Sequence, residues 1–150
     1  VWEVNVQDQQ PISSTSAPLL VKDRVVIGSG GGDSGARGWL QLLNAKDGKL
    51  AWKKFTVPAP GEPGSETWKD DHNAWQTGGG AMWVTGTYDP GTNQTFWGSG
   101  NPVPMFDPTY RPGDNKFICN NEKCTVMWAR FAKRSMKPYI VKQVGLELPG

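Results

Sequence analysis

The stretch APLLVKDRVVIGSGGGDSGARGWLQLLNAKDGKLAWKKFTV, residues 17–57, decides the fold. Turn-forming residues cut it into four short apolar runs: APLLVK at 17–22, RVVIGSG at 24–30, WLQLLN at 39–44 and KLAWKKFTV at 49–57. Runs of this length bounded by Gly, Asn and Asp read as β-strands. Lys22-Asp23 makes the first join, the Gly-rich GSGGGDSGARG at 28–38 the second, and AKDG at 45–48 the third. Asp47-Gly48 is a hairpin signal, because Gly supplies the positive φ that such turns need. Four strands joined this tightly in about 40 residues have the rhythm of one propeller blade.

Working outward, VWEVNV at 1–6 alternates with period two and predicts another strand. Trp2 and Trp52 each sit early in such a segment, 50 residues apart. That pairing predicts repeated units in which a Trp docks onto the neighbouring unit. No third copy follows, since Trp128 lacks the Asp-Gly-Lys turn before it. A long Pro/Gly-rich loop is expected at 58–78, and loops of that length are usually functional or mobile. A second unit starts with AMWVTGTYD at 81–89, turns at PGTN (90–93) and returns through QTFWGSGN at 94–101. After the Pro-rich loop at 102–115, KFICN at 116–120 resembles a further strand. Beyond Ile118 the chain is basic and shows no hairpin rhythm. Two parts are therefore expected: a strand-rich part at 1–117 and a divergent, unassigned tail at 118–150.

Composition agrees. The chain has 19 glycines and 12 prolines in 150 residues, about a fifth of the total against the usual share of roughly 12%. That predicts many turns and few long helices, an all-β class. Eight tryptophans must be buried or used for stacking. A net charge of +2 excludes the clustered basic face of a dedicated nucleic-acid binder. No apolar run approaches the ~18 residues that a membrane-crossing helix needs. Two Cys exclude a disulfide-dense scaffold, and with one His they speak against a zinc site of about four N/S ligands. The opening VWEVNV, with no initiator Met and no charged-then-apolar leader, reads as an internal piece of a longer protein.

Several places carry candidate chemistry. Gly30-Gly31-Gly32-Asp33-Ser34-Gly35 fits G-x-G-x-x-G, but no helix pattern follows as a dinucleotide fold requires. The run is either a flexible hairpin loop or bare backbone brought close to a ligand. GGGAMW at 78–83 presents Trp83 directly after three glycines, either as a core indole at a strand start or as a floor for a flat aromatic ligand. Asp33 and Asn101 offer oxygen ligands suited to a hard cation. They lie 68 residues apart, so a metal reading needs a fold that joins them; otherwise each is a turn former. Asn93-Gln94-Thr95 forms a glycosylation triplet, His72 reads as a solvated side chain, and Cys119 and Cys124 fit a loop disulfide or free thiols equally.

Together, residues 15–52, GGGAMWVTGTYDPGTNQTFWGSGNPVP at 78–104 and RPGDN at 111–115 closely resemble the quinoprotein alcohol dehydrogenases. These are the methanol and ethanol dehydrogenases that use pyrroloquinoline quinone (PQQ). The resemblance implies an eight-bladed β-propeller, of which this chain would supply about one and a half to two blades. It implies that Trp83 stacks on the cofactor and that Thr15 hydrogen-bonds a cofactor carboxylate. Gly30, Gly31 and Gly32 match the stretch lining the quinone, and Ala81 matches a contact position that is Thr or Ala in relatives. Asp33 stands in the place of a metal-binding Glu, one methylene shorter, and Asn101 in that of the metal-binding Asn. The implied metal is Ca²⁺, or a lanthanide in one branch. It would act as a Lewis acid on the quinone carbonyl that accepts hydride.

The implied activity is oxidation of a small primary alcohol to an aldehyde in the periplasm, with cytochrome c or a quinone as electron acceptor. The family's catalytic Asp belongs in a Trp-Asp-containing stretch beyond Asn101, and residues 118–150 contain no Asp. This chain alone is therefore expected to be inactive. The alternative is a non-enzymatic propeller-type scaffold that binds proteins; an aromatic-rich sandwich that binds sugar is more remote. Repeat units bury their faces on their neighbours, so one and a half blades should be marginally stable and prone to associate. Thermal unfolding of the purified chain is expected to be broad and accompanied by aggregation, and a sharp two-state melt from a monomer would contradict this.

Overall fold

A computed structural model describes residues 1–7, 10, 12–107, 109–113 and 115, together with the backbone of three short strands further on. The deciding stretch folds as a four-stranded antiparallel sheet in sequence order: β1 (Leu19–Val21), β2 (Arg24–Gly28), β3 (Trp39–Asn44) and β4 (Leu50–Phe55). Lys22 turns the first hairpin at φ 54, and Val21 pairs directly with Arg24. Gly48 turns the third join at φ 71, a region that an L side chain enters only at a cost. A register shift at Leu42/Leu43 sets Leu43 opposite Leu50 and Leu42 opposite Trp52, which leaves Ala51 as the extra residue of a bulge.

β3 is the buried centre. Its period-two alternation serves two cores, one on each face of the sheet. Leu40 and Leu42 join Val21, Val26, Met82 and Trp97, with Leu19, Trp52 and Tyr88 packed around them. Trp39 joins Ile12 and Ala36, with Val6, Ile27 and Phe55 alongside. One face is thus covered by the second unit and the other by the N-terminal segment, as expected for units that stack face to face.

The N-terminal segment departs from expectation. Residues 1–6 form no strand. They lie across the sheet instead of pairing with an edge of it: Val6 packs on the second core, and its carbonyl accepts a bond from Gln41 Nε2 (3.3 Å). The Trp docking is present. The Trp2 indole Nε1 donates to Ala45 O (3.0 Å), and its ring covers Gly48 so closely that a Cβ there would lie 2.5 Å from Trp2 Cε3.

The second unit is shorter than its apolar pattern suggests. β5 (Thr87–Asp89) and β6 (Gln94–Phe96) form a hairpin around Pro90–Asn93, with Asn93 at φ 54. Tyr88 OH donates to Asn93 Oδ1 (2.9 Å), and Asp89 accepts from Gly91 N and Thr92 Oγ1. Thr95 of the glycosylation triplet is 1% exposed, whereas Asn93 and Gln94 are half-buried.

The tail shows more hairpin character than its sequence does. β7 (Ala129–Phe131) pairs antiparallel with β8 (Pro138–Ile140), and β9 (Leu146–Glu147) extends the sheet beyond β6. Strands of two or three residues are too short for alternation to register in the sequence. The strand expected at 116–120 and both cysteines lie outside the described residues.

The long loop at 58–78 is packed. It contains two short 3-10 turns, Ser65–Thr67 and Ala74–Thr77, around a small core of Val57, Trp68 and Ala74. Arg37 ties it to the sheet. Its Nε donates to Val57 O (2.8 Å), and its guanidinium lies over the Phe55 ring and beside Glu62. Burial pushes this guanidinium below its ordinary value, and Glu62 opposes that shift.

Gly48→Ala should lower unfolding stability by ~2 kcal/mol or more, because it adds positive-φ strain to overlap with the Trp2 ring. Urea denaturation measures this, and an unchanged midpoint would remove the docking from the account.

Candidate functional site

The site grows from glycines. Residues 78–82 thread between the Gly-rich loop at 28–38 and the segment at 100–103. Gly79 N donates to Ala36 O (3.0 Å) and Gly38 N to Gly79 O (2.7 Å). On the opposite side Gly80 N donates to Asn101 O (3.0 Å), Gly100 N to Ala81 O (2.7 Å) and Val103 N to Gly78 O (3.0 Å). The backbones approach so closely that a Cβ at Gly38 would overlap the Gly80 carbonyl, and one at Gly28 would overlap that of Met82. Only glycine permits this spacing.

The Gly-rich loop is therefore an ordered element and not a flexible hairpin loop. Gly31 at φ 70 and Gly35 at φ 76 bracket a 3-10 turn, Gly32–Ser34, which exposes Asp33. Gly30 is buried and donates its N–H to Ser13 O (2.8 Å). A Cβ there would overlap Ser13 O, so Gly30 serves close packing beside Thr15 and its amide is not free for a ligand.

The threading brings the candidate metal residues together. Asn101 Nδ2 lies 3.5 Å from Asp33 Oδ1 and donates to Pro102 O at 3.1 Å. Rotation of the amide about its last bond would turn Oδ1 toward the carboxylate's side, giving one anionic and one neutral oxygen donor at a single point. Among the described residues no third His, Cys, Asp or Glu joins them.

Trp83 lies against Gly100, the residue before Asn101. It is 56% exposed and precedes β5, so it is not the core indole of a strand start. Thr15 Oγ1 donates to Trp83 O (3.0 Å), and Thr85 Oγ1 donates back to Ala17 O (3.1 Å), which laces the two segments together. Trp83 Cδ1 lies 3.4 Å from the place a Gly100 Cβ would occupy. Ala81 is 3% exposed and packs against Gly32, where an added Cβ would sit 3.0 Å from its own. Thr15, Gly30, Gly32, Asp33, Ala81, Trp83 and Asn101 thus form one linked cluster, with Gly31 in its loop. Sequence reasoning noted the glycine run at 78–80 but not its contacts with Gly38 and Asn101, and it missed Gly38 and Gly100 as supporting residues. Gly79 and Gly80 signal themselves only as neighbours in a run, and Gly100 only as the residue before Asn101.

Away from the cluster, His72 is solvated, as expected. Its Nδ1 lies 3.0 Å from Asp71 Oδ1, and its ring centroid is 4.2 Å from that of Tyr110. The Asp71 hydrogen bond raises the imidazole above its ordinary 6.5 and lowers the Asp71 carboxyl. Asp71→Asn should bring the His72 titration, followed by its ring proton resonances, back down toward 6.5, and an unmoved midpoint would contradict the pairing.

Comparison with known proteins identifies the family. Residues 2–119 match the family described as PQQ: Glucose/ethanol/alcohol dehydrogenase, beta-propeller domain. The chain is 39% identical over 136 residues to subunit 1 of methanol dehydrogenase [cytochrome c] from Methylorubrum extorquens, covering 78% of this chain and 21% of that protein. It is 34% identical over 151 residues to the quinoprotein alcohol dehydrogenase PedH of Pseudomonas putida, covering 85% and 25%. Among solved structures, the quinohemoprotein alcohol dehydrogenase of Comamonas testosteroni superposes with a TM-score of 0.70 at 33% identity, over 77% of this chain and 19% of that one. The chain therefore spans about a fifth to a quarter of the length of these relatives. It is a partial β-propeller, and it belongs to the PQQ-dependent alcohol dehydrogenase β-propeller family.

Proposed function

We propose that this chain carries the metal-holding and quinone-stacking part of an enzyme that oxidises a primary alcohol to an aldehyde by hydride transfer to PQQ. The observation that carries the reading is the meeting of Asp33 and Asn101, 68 residues apart, at 3.5 Å, with the exposed Trp83 packed against neighbouring Gly100. A non-enzymatic scaffold would have no use for an exposed indole together with two converging oxygen donors.

The residues present fit both groups. A carboxylate and an amide are hard donors, suited to Ca²⁺ or a lanthanide. The relatives include a lanthanide-dependent methanol dehydrogenase and a europium-containing one. The exposed indole of Trp83 offers a flat face for a planar ring, while Gly30, Gly32 and Gly100 are taken up by close packing on Ser13 and Ala81. Beside Trp83, a bound PQQ would supply a hydride acceptor for the alcohol carbon, and a cation on Asp33 and Asn101 would supply Lewis-acid polarisation.

The chain's own residues position these groups. Asp33 supplies negative charge to the cation, and Asn101 must turn its Oδ1 toward the cation and give up the Nδ2 contact with Asp33. Trp83 offers its face as the floor, held from below by the Thr15 hydroxyl. For that hydroxyl to donate to a cofactor carboxylate it must rotate away from Trp83 O. Gly31, Gly32 and Ala81 close the wall without side chains large enough to obstruct it.

In this proposal residues 1–117 are the propeller part and 118–150 a divergent tail; the family match over 2–119 supports that boundary. Residues 118–150 contain no Asp, so the base that takes the alcohol proton is missing from this chain and the chain alone does not turn over. The whole enzyme would act in the periplasm and pass electrons to cytochrome c or a quinone.

PQQ added to the purified chain with Ca²⁺ should quench its tryptophan fluorescence saturably. Trp83→Ala should weaken that binding about tenfold, and Asp33→Ala or Asn101→Ala should remove its Ca²⁺ dependence. Dye-linked alcohol oxidation should be absent. Quenching indifferent to all three substitutions would refute the site, and saturable dye reduction would refute the missing base.

A further inference from the structure

We propose that Ala81 is a positioning residue whose side-chain volume sets the separation of the Asp33 and Asn101 oxygens, and hence the metal affinity of the pair. The inference rests on the metal site proposed above and goes beyond it, because it concerns how the two arms are spaced and not which residues bind.

The geometry is that of a spacer between two glycines. Asp33 directly follows Gly32, and Asn101 directly follows Gly100. Both glycines rest on Ala81. A Cβ on Gly32 would lie 3.0 Å from Ala81 Cβ and 3.7 Å from Ala81 N. A Cβ on Gly100 would lie 3.2 Å from Ala81 O, and Gly100 N already donates to that oxygen at 2.7 Å. The two segments carrying the donors are thus held apart by one buried alanine. Gly100 is held to the Ala81 backbone, with Trp83 Cδ1 alongside, so the Ala81 methyl sets the spacing on the Gly32 side. Ala81 has little freedom to yield. Its own segment is pinned by Gly80 N to Asn101 O and by Thr56 Oγ1 to Gly80 O (2.7 Å).

A larger side chain at 81 must therefore push the Gly32 segment outward and withdraw the short Asp33 arm from Asn101. Cation sites lose affinity when donors move by about half an ångström. A longer carboxylate at 33 would close the gap again, whereas a merely structural defect would not respond to arm length.

The test is a La³⁺ titration of the isotopically labelled chain, followed by the Asn101 side-chain amide and the Asp33 backbone amide. The native chain should show both resonances moving together with one midpoint. Ala81→Val should raise that midpoint about tenfold while the remaining amide spectrum stays native. Asp33→Glu added to Ala81→Val should bring the midpoint back to within about threefold of native. Ala81→Gly, which removes volume and places no demand on packing space, should weaken binding about threefold, with no recovery from Asp33→Glu. If native Asn101 and Asp33 do not respond to La³⁺, the metal reading fails and the spacer with it. If they respond but Ala81→Val and Ala81→Gly keep the native midpoint, or if Asp33→Glu rescues neither or both, the spacer alone is overturned.

Discussion

Backbone packed directly on backbone is the constraint from which the rest of this structure follows. Residues 78–82 pass between two other segments at a distance that only glycine allows. Gly28, Gly32 and Gly38 present three bare positions to Met82, Ala81 and Gly80 respectively. On the far side, hydrogen bonds to Asn101, Gly100 and Val103 hold the third segment. A peptide group buried this way must be paired or it costs several kcal/mol. The pairings found are the ones that draw Asp33 and Asn101 to one point. The two segments that carry the donors are thus brought together by the backbone path.

The same device recurs at the edge of the sheet. Gly48 allows Trp2 to lie flat on the AKDG turn, and this fixes the N-terminal segment against the second face of β3. With Met82 and Trp97 on the first face, β3 becomes the centre of two cores. A single sheet of four short strands has no interior of its own; it acquires one when neighbouring units cover both sides. The exposed Leu20 and Leu50 show where that covering is incomplete among the described residues.

Much of this was legible in the sequence. The four strands of the blade fall within the apolar runs, because each turn carries residues that tolerate positive φ or begin a hairpin: Lys22-Asp23 and Asp47-Gly48. Asp33, Asn101 and Trp83 were identified one by one, but the runs of glycine around them do not show which glycines touch. Contact between Gly38 and Gly80 is a matter of tertiary path, and no local pattern encodes it. VWEVNV misled because a period-two pattern does not by itself require strand pairing: residues 1–5 are all exposed, and the segment is held by Trp2 on the AKDG turn and Val6 on the second core. The three-residue strands of the tail are below the length at which periodicity has meaning. Trp83 was ambiguous for a further reason: glycines before an indole precede a core strand as readily as an open platform, and only its 56% exposure separates the two.

The most direct test of this account is hydrogen exchange at the amides of Gly38, Gly79 and Gly80, measured residue by residue. The account predicts that they exchange as slowly as the amide of Leu42 at the centre of β3, because their bonds to Gly79 O, Ala36 O and Asn101 O join the Gly-rich loop and the Asn101 segment into one cooperative unit. If those three amides exchange at the rate of an open loop while Leu42 stays protected, the glycine threading does not hold the site together and the meeting of Asp33 with Asn101 has some other cause.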